Sequence, residues 1–277
     1  MTRMPTLGLA AAAAAAANLF FLAAPASTHT PRQAAPAATG CLEDVRQNAT
    51  RELITFASNG QTINALIYKP RYYNGAAVVL LPGALGFGGD AQRFDSHAIQ
   101  LASRGYVVLI ANYFDSRPFR ARRTGVDISA WTQVGADAVR FVGGQPNVDP
   151  ARVALWGYSY GGFMATDGSV VPDAPAAIAI GVETGTDVWG EPSRGRREVP
   201  VLLIHGRADT AVSPSSMRRL AANLRLRGAT VGIEMLDSST HDLNPAAWCE
   251  AFRLTRTFMD ANLLVPGATP VPTTPAQ

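Results

Sequence analysis

The chain of 277 residues is 47% hydrophobic and 16% charged, with a net charge of +3 in which Lys69 is the one lysine among 24 basic residues. Its arginines gather at Arg117 to Arg123 and Arg194 to Arg197, clusters that neither alternate with aromatic residues nor lie on a long helix. That pattern argues against nucleic acid and leaves solvated loops or a carboxylate-bearing substrate as the readings.

In chain order, Met1 to Met4 carries one arginine, Leu7 to Ala24 is apolar and alanine-rich, and Ala24-Pro25-Ala26 supplies the small residues of a signal-peptidase site. We expect a signal peptide over residues 1–26. The alternative is an uncleaved anchor, but Asn18 interrupts the run and a span wants about 20 strongly apolar residues. A secreted or periplasmic protein without a stable membrane span is therefore expected. Residues 27–40 and 265–277, rich in Ala, Pro and Thr, read as disordered linker and tail. Residues 41–264 then form one domain, large enough for a full core.

Glu52 to Ala57 and Thr62 to Tyr68 alternate around the turn Ser58-Asn59-Gly60 and predict an opening antiparallel hairpin. The pattern then changes to near-continuous apolar runs at Ala76 to Leu81, Tyr106 to Ala111, Arg152 to Trp156, Ala176 to Gly181 and Val199 to His205, as strands buried on both faces require. Helix-period segments separate them: Ala91 to Arg104, Ile128 to Val142, Gly161 to Ser169 and Pro214 to Arg227. A strand Thr230 to Leu236 and a helix Pro245 to Leu263 complete an α/β fold with a mostly parallel sheet and helices on both faces. Cys41 and Cys249, at the two ends of this domain, could form one disulfide in an oxidising compartment, closing a loop worth about 5 kcal/mol in the chain-entropy model; two unrelated buried thiols are the alternative.

The most chemically specific stretch is Val153-Ala154-Leu155-Trp156-Gly157-Tyr158-Ser159-Tyr160-Gly161-Gly162. An apolar strand ending in a serine held between glycines, with a helix-compatible run behind it, reads as a nucleophile elbow. Strand-end loops are where an open α/β sheet places its ligands, so the partners are sought there. Among four histidines, His29 lies in the linker, His97 inside a helix facing solvent or a neighbouring turn, and His205 at a strand end where it supports the following loop. His241, after the last strand, remains as general base. Asp209 stands alone on its loop and is the better orienter than Asp237 or Asp242. The order Ser159, Asp209, His241 is that of the α/β-hydrolases. Oxyanion donors are expected from the backbone N–H groups of Tyr160 and of Ala84, in the loop Leu80 to Gly86. Leu85, Tyr158 and Trp189 are candidates for the substrate pocket, and Arg194, Arg196, Arg197, Phe114, Phe119 and Trp131 raise the same question. No metal or cofactor signature is present: histidines and cysteines lack ligand spacing, and Gly86-Phe87-Gly88-Gly89 lacks the lysine of a phosphate loop.

As a set, Gly83 to Phe87, Leu101 to Val108, Val148 to Val153 leading into the elbow, and His205 to Val212 resemble the dienelactone hydrolase family of α/β-hydrolases, with some likeness to the catalytic domain of prolyl oligopeptidases. The resemblance implies a hydrolase. Two departures qualify what it implies: the family's dienelactone-opening members carry a cysteine where this chain has Ser159, and a glutamate where it has Gly83. Ordinary ester or lactone hydrolysis through an acyl-enzyme is therefore expected, with a small-molecule substrate. A peptidase of short peptides and a catalytically silent binding fold are the rival readings.

Overall fold

The computed structural model describes residues 48–119, 124–186, 195–237, 239–267 and 271–272. All of them belong to one compact unit, Ala35–Gln277. The expected signal peptide, linker, Cys41 and Trp189 lie outside the described residues.

The chain opens with a hairpin, β1 (Ala49–Ser58) and β2 (Gln61–Pro70), paired from Ala49 with Pro70 to Ser58 with Gln61. Asn59 and Gly60 turn it with positive φ of 50° and 72°, as a hairpin's right-handed twist requires. Then come β3 (Tyr72–Tyr73), β4 (Ala77–Leu81), α1 (Gly86–Ser103), β5 (Val107–Ala111), α2 (Gly125–Gly143), β6 (Val153–Tyr158) and α3 (Tyr160–Ser169). The remainder is β7 (Ile178–Val182), β8 (Pro200–Gly206), α4 (Pro214–Leu226), β9 (Thr230–Leu236), α5 (Pro245–Leu263) and β10 (Val271–Pro272).

Eight strands form one sheet in the order β1-β2-β5-β4-β6-β7-β8-β9. The β1–β2 and β2–β5 pairs are antiparallel and all later pairs parallel. Residues Ala77–Leu81, Val107–Ala111 and Ile178–Val182 are buried throughout, because helices cover both faces. Side chains of α2, α3 and α4, such as Val134, Phe163 and Leu220, pack on one face. Phe94 and Leu101 of α1 and Trp248, Phe252 and Met259 of α5 pack on the other.

Helix starts follow local chemistry. Thr124 and Asp127 form a capping box at α2, while Ser213 and Asn244 each cap the N–H three residues on, with proline next in line, at α4 and α5. Three features depart from expectation. Helix α1 begins at Gly86 rather than Ala91: the glycines lower local helix propensity, but Phe87 and Ala91 pack on the core and carry the helix forward. His97 faces neither solvent nor a turn; it is buried with its ring stacked 3.6 Å from that of Phe252. Val271–Pro272, in the segment expected as tail, pairs with Tyr72–Tyr73.

The sheet positions the site through the β6–α3 turn. A Cβ on Gly161 would lie 2.0 Å from the carbonyl oxygen of Leu81, and one on Gly157 2.0 Å from that of Gly161. Backbone therefore passes over backbone where β4, β6 and α3 meet. Gly161→Ala is expected to destabilise the fold by about 3 kcal/mol or more, since the new methyl meets main chain. Gly88→Ala on α1, with nothing within 4 Å of its Cβ, should be neutral or stabilising by up to about 1 kcal/mol. Urea melts of the two variants beside wild type check both.

Candidate active site

Ser159 sits between β6 and α3 with φ 54° and ψ −113°. A non-glycine residue there stores about 1–3 kcal/mol of strain. The conformation is held from both sides: the Ser159 N–H donates to the Val182 carbonyl at 2.8 Å and its own carbonyl accepts from Phe163 N–H at 3.1 Å. The hydroxyl is thereby aimed out of the sheet edge, and Oγ lies 3.0 Å from His241 Nε2. On the other side of the ring, His241 Nδ1 lies 2.8 Å from Asp209 Oδ2.

Asp209 and His241 come from neighbouring loops after β8 and β9. Arg207 N–H donates to the Leu236 carbonyl and Ala208 N–H to the Ser239 carbonyl, at 2.9 and 3.0 Å, which stitches the two loops together. Asp209 Oδ1 accepts the N–H groups of Ala211 and Val212 at 2.8 and 2.9 Å. Burial by itself raises the Asp209 carboxyl, but hydrogen bonds from His241, Glu183 and Val212 outweigh it and bring it down to about 2. It therefore stays ionised across the neutral range. Asp237 and Asp242, the alternatives for this role, turn elsewhere, to Arg207 at 2.5 Å and Arg93 at 3.4 Å.

Around this line the expected residues divide. Tyr160 is the first residue of α3, so its N–H belongs to the positive end of the helix. Ala84 is exposed in a turn closed by Gly86 N–H to the Gly83 carbonyl at 3.0 Å. That turn is held beside the elbow, because the Leu81 and Pro82 carbonyls both lie against Gly161. Leu85 stands exposed next to Ala84. Tyr158, expected at the pocket wall, is 3% exposed; it packs on Trp248 and donates its hydroxyl to the His241 carbonyl at 2.6 Å, so it anchors the histidine loop from below. Arg197 donates to the Ser169 carbonyl at the far end of α3, and the helix's length takes it away from Ser159. Phe119 stacks on Trp131 and meets Tyr160 edge-on and is the exposed member of that aromatic group, Trp131 being fully buried. His205 is buried with Nε2 2.9 Å from the Val212 carbonyl, supporting the Asp209 loop as its position implied. Cys249 is disulfide-bonded.

Two carboxyl groups were not anticipated. Glu183 directly follows β7, fully buried, with Oε1 accepting Gly206 N–H at 2.7 Å. An acidic residue ending an otherwise apolar strand at the sheet's carboxyl edge was the available signal. Glu183, His205 and Asp209 bring oxygen or nitrogen atoms within 4.8 Å of one another. Those residue types bind cations, but Asp209 already serves His241 and two N–H groups, and His205 Nε2 the Val212 carbonyl. What remains falls short of a four-ligand shell. Asp90, against Gly83 at the start of the Ala84 turn, is 1% exposed, with Arg93 Nε at 3.8 Å bridging it towards Asp242.

The model of the dienelactone hydrolase family matches residues 63–246, which takes in Ser159, Asp209 and His241 together with Glu183 and Asp90. The chain belongs to the dienelactone hydrolase family. Among solved structures, Thermogutta terrifontis esterase 2 phosphorylated by paraoxon is 20% identical with a TM-score of 0.62, covering 78% of this chain and 96% of its own. A putative dipeptidyl aminopeptidase IV from Bacteroides ovatus is 16% identical at TM-score 0.62, covering 79% of this chain and 37% of its own. The acylaminoacyl peptidase of Pyrococcus horikoshii is 18% identical at TM-score 0.59, with 80% and 43% covered. The chain thus spans well under half the length of those two peptidases. No curated protein matches it. Family and fold together support a serine hydrolase of the α/β-hydrolase type.

Within this dienelactone hydrolase fold, burial pushes the Asp90 carboxyl up to about 6, against the pull of Arg93 and of the Gly83 and Leu85 N–H groups. Its folded value lies above the unfolded one of 3.8. The stabilisation is therefore complete below about pH 4 and lost as pH rises through about 6, by up to about 3 kcal/mol. Asp90→Asn should flatten this fall. Melting temperatures of both proteins from about pH 4 to 7 check it, and parallel curves would show that Asp90 does not titrate in this range.

Proposed function

We propose that this protein is an exported serine esterase that cleaves a carboxylic ester or lactone through an acyl-enzyme. The observation that carries the reading is the continuous line from Ser159 Oγ to His241 to Asp209, at 3.0 and 2.8 Å. His241 Nε2 takes the Ser159 proton as Oγ attacks the ester carbonyl carbon, and the ionised Asp209 balances the imidazolium that forms. The N–H groups of Ala84 and Tyr160 receive the oxyanion. His241 then returns its proton to the departing alkoxide, and a water repeats the sequence to release the acid. A hydroxyl nucleophile in place of the family's cysteine favours simple esters over dienelactones. The disulfide at Cys249 and the signal-peptide pattern of residues 1–26 support export, since disulfides persist in oxidising compartments.

The likeness to two peptidases keeps short peptides as a second reading with the same nucleophile. Turnover of p-nitrophenyl esters of increasing acyl length, beside proline-containing dipeptide amides, separates the two. Ser159→Ala is expected to lower kcat about 10⁶-fold and to abolish labelling by a fluorophosphonate. A Ser159→Ala protein that is folded and still hydrolyses esters at a comparable rate sinks the mechanism.

A further inference from the structure

Glu183 is built into the fold at a conformational cost. It is fully buried, it is not glycine, and its φ is 50°. One oxygen is satisfied by Gly206 N–H. The other, Oε2, meets no N–H or O–H of another described residue. What it faces are acceptors: the Asp209 carboxylate within the same 4.8 Å cluster, and His205 Nδ1 at 3.8 Å. His205 has its Nε2 against the Val212 carbonyl, which fixes the proton on Nε2 and leaves Nδ1 with a lone pair and no partner. A cluster of acceptors closed off from water needs one proton to be stable. Asp209 is the poorer holder of it, because His241 and two backbone N–H groups already stabilise its anion.

We propose that Glu183 is a positioning residue held as the neutral acid, its O–H donating to Asp209 so that the carboxylate keeps Oδ2 towards His241. The proposal rests on the reading of Ser159, His241 and Asp209 given above. It explains why a glutamate occupies a strained backbone position beside an aspartate. Two anions there would repel, whereas an acid and an anion make a hydrogen bond. Burial, together with the Asp209 charge, pushes the Glu183 carboxyl up to about 10. The groups facing it are Asp209 and His205, Tyr158 lies within reach of its charge, and His241 and Arg218, the latter from α4, act on His205.

The test compares wild type with Glu183→Gln, Glu183→Leu and Ser159→Ala in the full-length protein. The glutamine amide can donate to Asp209 and its carbonyl accept from Gly206 N–H, so Glu183→Gln should keep kcat within about threefold. It should also lack the alkaline fall in rate expected of wild type as Glu183 ionises near pH 10. Glu183→Leu, with no donor, should lose between about 10- and 100-fold in kcat with KM unchanged, as loss of an outer partner does at other sites. Stability gives a readout independent of activity. The folded carboxyl lies above its unfolded value of 4.5, so wild type loses stability progressively between that value and about 10. Its melting temperature should therefore fall relative to Glu183→Gln from about pH 6.5 to 9.5.

Equal pH slopes of the melting temperature would overturn the proposal. So would a Glu183→Gln enzyme as impaired as Glu183→Leu, or a Glu183→Leu enzyme with wild-type kcat. Loss of wild-type activity with a chelator would overturn it too, by placing a cation rather than a proton in the cluster. Failure of the triad reading is a separate result: Ser159→Ala would remain active, while the melting curves would still report whether Glu183 carries its proton. If Glu183→Leu does not fold, the glutamine variant and its melting curve decide the matter.

Discussion

The Leu81 carbonyl occupies the space that any side chain on Gly161 would need, and this contact of main chain with main chain ties the parts of the site together. It brings the end of β4, from which the turn carrying Ala84 departs, against the first turn of α3, which follows Ser159. The strained Ser159 is the consequence. A strand and a helix this close leave no room for a relaxed connection, and the strain is offset by the bonds to Val182 and Phe163. The same helix is secured at its far end, where Arg227 pairs with the buried Asp167 and Arg197 reaches the Ser169 carbonyl. Cations at a helix C-terminus also complement its dipole. An arginine that composition alone left open for substrate is thus accounted for as an anchor.

A second constraint is the sparing use of charge. Asp209 is ionised beside His241, and its hydrogen-bond partners hold its carboxyl down. His205, a few residues earlier, is kept neutral by burial, its Nε2 on a backbone carbonyl. The two imidazoles thereby take different partners, His241 between Ser159 and Asp209 and His205 on the Val212 carbonyl.

Stitching between the β8 and β9 loops converts sheet register into site geometry. Because β8 and β9 are in parallel register from Pro200 with Thr230 to Gly206 with Leu236, Asp209 and His241 leave the sheet side by side. Tyr158, one residue before Ser159, holds the His241 backbone through its hydroxyl. The histidine is therefore located relative to Ser159 through a single buried side chain as well as through the sheet.

Much of this was legible from residue order. The hairpin, the alternation of apolar runs with helix-period segments, and the placing of Ser159, Asp209 and His241 at strand ends are local patterns, and local backbone preference writes them directly. The start of α1 was misread because its glycines disfavour a helix that packing of Phe87 and Ala91 nonetheless supports. The burial of His97 and Tyr158, the pairing of Val271 with Tyr73, and the meeting of Glu183 with Asp209 were decided only in three dimensions. Each joins segments remote in sequence. Which polar group ends up dry, and therefore which proton it must keep, depends on what packs around it. By itself the sequence determined the fold class and the placing of Ser159, Asp209 and His241 at the strand ends. Tertiary structure alone decided the electrostatic state of the carboxyl groups around them, because desolvation is a property of the assembled core and not of any residue in the chain.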